Sequence, residues 1–222
     1  MLNPSQRTTF DAVVAALGRD DLRSGDRAFF VDGPAGSGKT FLYEALIHYV
    51  RGQGKIALAC AISGIAVTLL PGGTTAHALF GLPLEMPSHD AVSSIRAQEG
   101  GAEVLRRAAL IVWDEASMIP VGALDCVDRL LRDLMGNELP FGGKIIVLGG
   151  DFRQILPDVP PATEAEIIAN AILHHFSMND GTFRQYTLTE TCSSSSPARR
   201  ITSIASASPA LASSPSPSPL ST

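Results

Sequence analysis

The chain has 222 residues, 45% of them hydrophobic and 6% aromatic, with a formal net charge of −5. That length holds one full-sized domain, or a domain and a tail, with a substantial core, but not two complete α/β domains. The acidic balance argues against a large non-specific grip on nucleic acid while leaving room for a local basic groove, and no apolar run reaches the ~18 residues a membrane span needs. Cys60, Cys126 and Cys192 are odd in number, widely spaced and without a C-x-x-C pair, which fits free thiols in a reducing compartment. Neither a secretory signal nor an Arg-rich transit peptide is visible at Met1-Leu2-Asn3-Pro4, so an intracellular protein is expected.

In chain order, Asn3, Pro4 and Gln6 read as an N-cap, a proline at the first helical position and a glutamine at the third, a capping-box variant. Phe10, Val13, Val14 and Leu17 then recur at helical spacing and predict a buried face that stops at Gly18. Four short apolar runs follow: Ala28 to Asp32, Lys55 to Ala61, Leu110 to Trp113, and Lys144 to Leu148. None alternates cleanly, as suits parallel strands covered on both faces. Helical patterns lie between them, one from Thr40 to Arg51 and one carrying Leu124, Val127, Leu131 and Leu134 with charges on its other face. Strand alternating with helix predicts an α/β, doubly wound sheet, with its ligand site at the carboxyl ends of the strands. From Ser193 onward Ser, Pro and Ala dominate and no acidic residue appears. A folded domain over 1–192 and a disordered tail over 193–222 are therefore expected.

The chemistry concentrates after the first apolar run. Gly33, Pro34, Ala35, Gly36, Ser37, Gly38, Lys39 and Thr40 fill every position of the G-x-x-x-x-G-K-[ST] phosphate loop, between a strand-like and a helix-like run. Its glycines let the backbone turn tightly enough to aim successive N–H groups at an anion, beside the positive end of a helix dipole. Lys39 is expected to reach the β- and γ-phosphates, and the Thr40 hydroxyl to complete the shell of a Mg²⁺ ion, which implies ATP or GTP. A Gly-rich turn that binds nothing would not need the Lys-Thr pair. The run Leu110 to Trp113 ends in Asp114 and Glu115. Asp114 is placed to hold Mg²⁺ through water, and Glu115 to orient or activate the water that attacks the γ-phosphate. Gly149-Gly150-Asp151-Phe152-Arg153-Gln154 follows the last run, and Gln154 is the candidate γ-phosphate sensor, since an amide can bond both phosphate and water. Asp151 alone would also serve as a cap for the next turn.

Taken with Leu2-Asn3 and Gln6, Ser63-Gly64-Ile65-Ala66, Gly72 to His77, Trp113 to Met118, and Phe141 to Pro157, the sequence resembles the petite-integration-frequency (PIF-type) DNA helicases, relatives of RecD in helicase superfamily one. The resemblance covers residues 1 to 160 and extends well past what a generic P-loop protein would share. It implies a P-loop, RecA-like, mostly parallel sheet with helices on both faces, and an ATP-driven motor moving 5′-to-3′ on single-stranded DNA or at DNA junctions. A nuclear or mitochondrial location follows if the source is eukaryotic. The same resemblance assigns Gln6 to adenine recognition and sets Ser63, Gly64, Thr75 and His77 beside the DNA backbone. His77 and Phe80 are placed to stack against bases, although Phe80 on an apolar helix equally suits the core. Past Pro157 the match fades: Leu188-Thr189-Glu190-Thr191-Cys192 leads to Ser193 where the family carries an arginine. The second RecA-like domain finds no counterpart, which suggests a partner supplying it. Two readings stay open, a helicase-type ATPase represented by its first RecA-like domain and a non-catalytic nucleotide- or DNA-binding remnant. A third, an unrelated P-loop kinase, lacks the blocks at Ser63 to His77 and Gly150 to Gln154.

Overall fold

Helix α1 (Pro4–Leu17) starts where the capping box places it: the Asn3 side chain accepts from the Gln6 N–H at 2.8 Å, and the Gln6 side chain accepts from the Asn3 N–H at 2.9 Å. In the computed structural model, which describes residues 1–19, 26–83, 91–151 and 181–189, its fully buried line is Gln6, Thr9, Val13 and Ala16, while Phe10, Val14 and Leu17 pack against the core half-buried. The buried stripe is thus rotated toward smaller and more polar residues than hydrophobicity alone predicts. Gln6 is the reason, because its amide is needed inside.

The remaining elements are β1 (Ala28–Asp32), α2 (Lys39–Gly52), β2 (Ile56–Ala61), α3 (Gly64–Thr68), β3 (Thr74–Thr75), α4 (Ala76–Phe80), α5 (Gly100–Arg107), β4 (Ala108–Asp114), α6 (Val121–Met135), β5 (Ile145–Gly150) and β6 (Phe183–Thr187). The strands form one sheet in the order β3-β2-β4-β5-β1-β6, and every pairing is parallel. Four strands are those that the apolar runs predict. The other two, β3 and β6, sit at the sheet edges, where β3 has only two residues and β6 buries only Phe183. Neither carries an apolar run for a sequence reading to find.

Side-chain alternation splits the core into two layers. Phe29, Val31, Val112 and Val147 face α1 and α2, and Phe30, Ile111, Trp113 and Leu148 face α4, α5 and α6. On α2, Leu42, Tyr43, Leu46, Ile47 and Val50 are all fully buried, each aliphatic one contributing about 1.5–3 kcal/mol relative to exposure. That face fixes the helix behind the phosphate loop. Phe80 settles in the opposite layer, fully buried with its ring 5.2 Å from that of Trp113, so it is a core residue and does not reach bases. Cys60 and Cys126 are buried free thiols, and Cys192 lies outside the described residues. Among the described residues no helix is long and apolar enough to cross a membrane. The tail 193–222 also lies outside them.

Candidate nucleotide site at the carboxyl edge of the sheet

β1 ends at Asp32 and the chain turns through Gly33 to Gly38 before α2 begins at Lys39. Gly38 caps the helix at φ +82°, a left-handed conformation that a side chain would resist. Gly33 is required for space instead: a Cβ there would lie 2.5 Å from Ser37 Oγ and 3.2 Å from Leu188 Cβ. Ser37 is fully buried and its hydroxyl has no hydrogen-bond partner. A buried orphan hydroxyl inside a glycine-rich turn at the start of a helix is a fit for an anionic oxygen. The Lys39 ammonium donates to the carbonyls of Gly33 (2.5 Å) and Pro34 (3.2 Å), which holds it over the same loop. Thr40 follows in the first turn of α2, half-buried.

Neighbouring elements hold the loop in shape. The Gly33 N–H donates to the Gly150 carbonyl at 3.2 Å, and the Ala35 N–H donates to Asp151 Oδ2 at 3.2 Å. From the other side Gln6 Nε2 donates to the carbonyls of Ser37 (3.3 Å) and Gly38 (3.1 Å). Two roles read differently in sequence are thereby located. Asp151 binds the phosphate loop, and Gln6, besides closing the capping box, ties α1 to that loop. Gln6 is 1% exposed, with both ends of its amide engaged.

Asp114 closes β4, almost buried, with Oδ1 accepting the Glu115 N–H at 2.9 Å. Burial pushes its carboxyl above the ordinary carboxylate range, outweighing the Glu115 N–H and the Lys39 charge, which pull the other way. Glu115 adopts φ 57°, ψ 35°, a left-handed conformation that costs a non-glycine residue about 1–2 kcal/mol. The compensation is visible in its side chain, whose Oε2 accepts the Ser63 N–H at 3.0 Å across the sheet edge. Lys39, Asp114, Glu115 and Asp151 line one cleft of about 300 Å³. Among the described residues no group of three or more His, Cys, Asp or Glu gathers as a metal cage. One or two carboxylates beside a phosphate loop are instead the donor set suited to Mg²⁺, which keeps waters and shares phosphate oxygens.

The residues expected beside DNA lie at the adjoining edge. Ser63 and Thr75 cap the short helices α3 and α4, their hydroxyl oxygens accepting from the N–H groups of Ala66 and Ala78, both at 3.2 Å. The register Ala61↔Thr75 sets the Thr75 cap beside the end of β2, two residues before Ser63. Gly64 is exposed and His77 half-buried. Ser63 is tied to the cleft through its N–H, which donates to Glu115 Oε2. Gln154 lies outside the described residues.

Against known proteins, the PIF1-like helicase family matches residues 1–200. The ATP-dependent DNA helicase Pif1 of Psychrobacter sp. is 34% identical over 144 residues, covering 64% of this chain and 21% of that protein. Among solved structures, Bacteroides Pif1 in complex with ADP-AlF4 superposes with a TM-score of 0.68 at 28% identity, covering 86% of this chain and 43% of the other. Bacteroides Pif1 bound to single-stranded DNA gives 0.65 at 29% identity, with 86% and 42% covered. This chain therefore spans about a fifth of that Psychrobacter relative and under half of either solved chain. A phosphate loop at the carboxyl edge of a parallel sheet, with Asp114 and Glu115 at the end of β4, on the far side of β5 from β1, and a match running along most of the sequence, places this chain in the PIF1-like helicase family.

Proposed function

We propose that this chain carries the first RecA-like, ATP-hydrolysing domain of a DNA helicase that moves 5′-to-3′ on single-stranded DNA. The observation that carries the reading is the convergence of Lys39, Asp114 and Glu115 on one cleft beside the phosphate loop. The backbone N–H groups of Gly36 and Gly38 and the orphan Ser37 hydroxyl would receive phosphate oxygens, with Lys39 swinging from its carbonyl partners onto the β- and γ-phosphates. Thr40 and Asp114 would hold Mg²⁺, whose charge offsets that of the phosphates. With Oε2 held by the Ser63 N–H, Glu115 Oε1 would take the proton of the water that attacks the γ-phosphorus, leaving ADP and phosphate. Gln6 would read adenine and Gln154 would sense the γ-phosphate. Ser63, Gly64, Thr75 and His77 would meet the DNA backbone, the first three as uncharged donors consistent with the acidic total.

The relatives named as ATP-dependent DNA helicases and the neighbours bound to ADP-AlF4 and to single-stranded DNA support ATP and DNA as ligands. A second RecA-like domain would deliver the arginine that an in-line transfer needs, an addition worth roughly 10³–10⁵ in rate where such fingers act. Residues 1–222 on their own are expected to bind Mg-ATP, hydrolyse it slowly and not displace a strand. The test measures ATP turnover and strand displacement by the purified 222-residue chain, with and without single-stranded DNA. Binding without displacement agrees with the reading. Robust DNA-stimulated unwinding would show that one domain suffices, and absence of any nucleotide binding would overturn the assignment of the cleft.

A further inference from the structure

Tyr43 has a polar atom that neither the fold nor the roles above account for. It stands on α2 one helical turn beyond Lys39, fully buried, and its hydroxyl has no hydrogen-bond partner. A phenylalanine would fill the same space without an orphaned oxygen, so packing alone does not explain the residue. The oxygen's position is defined by Gly149 on β5: a Cβ at 149 would fall on the Tyr43 hydroxyl and lie 2.7 Å from Cζ. The missing side chain of Gly149 is the notch into which the phenol tip fits.

That notch adjoins Asp114. Val112 and Val147 lie in the same core layer as Tyr43, and strand alternation puts the side chain two positions beyond each on that face. Those positions are Asp114 and Gly149. The parallel register Trp113↔Leu148, carried one step further, sets the two beside each other on strands about 4.8 Å apart. Lys39 and Tyr43, four residues apart on α2, therefore approach the same carboxylate from one helix face. Burial first, and the Asp114 charge second, push the Tyr43 phenol well above its ordinary pKa. At neutral pH it is a proton donor.

We propose that Tyr43 is a positioning residue for the metal carboxylate: its hydroxyl, unpartnered in the nucleotide-free chain, donates to Asp114 when nucleotide and a divalent cation bind, and fixes that carboxylate in the orientation that meets the cation. The proposal rests on the reading of the cleft as a Mg-nucleotide site. Its chemical sense lies in the desolvation of Asp114. A neutral donor from below compensates a buried carboxylate without cancelling the charge that a cation needs, whereas a second cation would compete with the metal.

The experiment is calorimetric titration of ADP into the full 222-residue chain, with Mg²⁺ and with EDTA. Tyr43→Phe is expected to lower the Mg²⁺-dependent affinity about tenfold or more, the scale of losses when a ligand's orienting partner is removed. Affinity in EDTA should stay as in the wild type. In the Asp114→Asn background the same substitution should change nothing further. Equal loss with and without Mg²⁺ would mark a merely structural role and overturn the proposal, as would a Tyr43→Phe chain whose Mg²⁺ dependence matches the wild type. A wild-type chain with no Mg²⁺-dependent binding would overturn the cleft reading itself, and the Tyr43 role with it.

Discussion

Replacing Gln6 by alanine cuts two attachments at once. The first is the bond from the Asn3 N–H that closes the capping box at 2.9 Å, and the second is the shared donation from Nε2 to the Ser37 and Gly38 carbonyls at 3.3 and 3.1 Å. Each net hydrogen bond is worth about 0.5–1.5 kcal/mol, and a buried acceptor left without its donor adds its own desolvation cost. Since Gln6 is 1% exposed, water does not readily replace the amide, and the total comes to about 2–3 kcal/mol. For a chain of this size that corresponds to a fall in Tm of roughly 4–12 °C. Nucleotide binding should weaken as well, because the loop loses the strut on its α1 side. Calorimetry with both ADP and GDP separates the two roles open to this residue. A strut supports the loop whatever the base, so both affinities fall together; a residue that reads adenine loses its preference for ADP. Gln6→Glu sharpens the comparison, since one carboxylate oxygen can still accept from Asn3 while the other faces two carbonyls and cannot donate. It should bind nucleotide worse than Gln6→Ala. A Gln6→Ala chain that melts and binds like the wild type would refute the reasoning.

Lys39→Ala removes the ammonium held over the loop, and ADP affinity should fall by a few kcal/mol on the scale of charge-assisted hydrogen bonds; unchanged affinity by calorimetry would rule out this loop as the phosphate site. Glu115→Gln keeps an acceptor for the Ser63 N–H but no longer takes a proton, so Mg-ATP binding should survive while turnover drops by roughly 10²–10⁴; equal turnover in a longer, active chain would remove the base assignment. Asp114 has a folded-state pKa raised above its ordinary value, so its contribution to stability is complete below the ordinary carboxylate range and is lost as pH rises through the raised value. Asp114→Asn should therefore raise the Tm of the nucleotide-free chain at neutral pH, with the gain shrinking on acidification, while abolishing Mg²⁺-dependent binding. A Tm difference that is flat with pH would contradict the sign.

Those residues whose chemistry demands a fixed type at a fixed local spacing were legible in the sequence. The phosphate loop, the Asp114-Glu115 pair after an apolar strand, and the Asn3-Gln6 cap each depend on neighbours a few positions away, and the structure places all of them at the expected element ends. What escaped was written in strand order. β1 and β2 follow one another in the chain, yet β1 lies between β5 and β6 while β2 lies between β3 and β4. The contacts that shape the cleft run across those non-consecutive neighbours: Ala35 to Asp151 over 116 positions, Ser63 to Glu115 over 52, and Gly33 to Gly150. In each the donor is a backbone N–H, which every residue but proline carries, so no side-chain type marks the donor end even where the acceptor is a carboxylate, as at Asp151 and Glu115. The tie from Gln6 to the loop likewise ends on two carbonyls that any sequence would supply. Edge strands were missed for the related reason that solvent on one side removes the apolar run by which buried strands are read. Sequence pattern therefore identifies the groups that touch a ligand more readily than the frame that aims them. Here much of that frame is backbone, held together by the order of a parallel sheet.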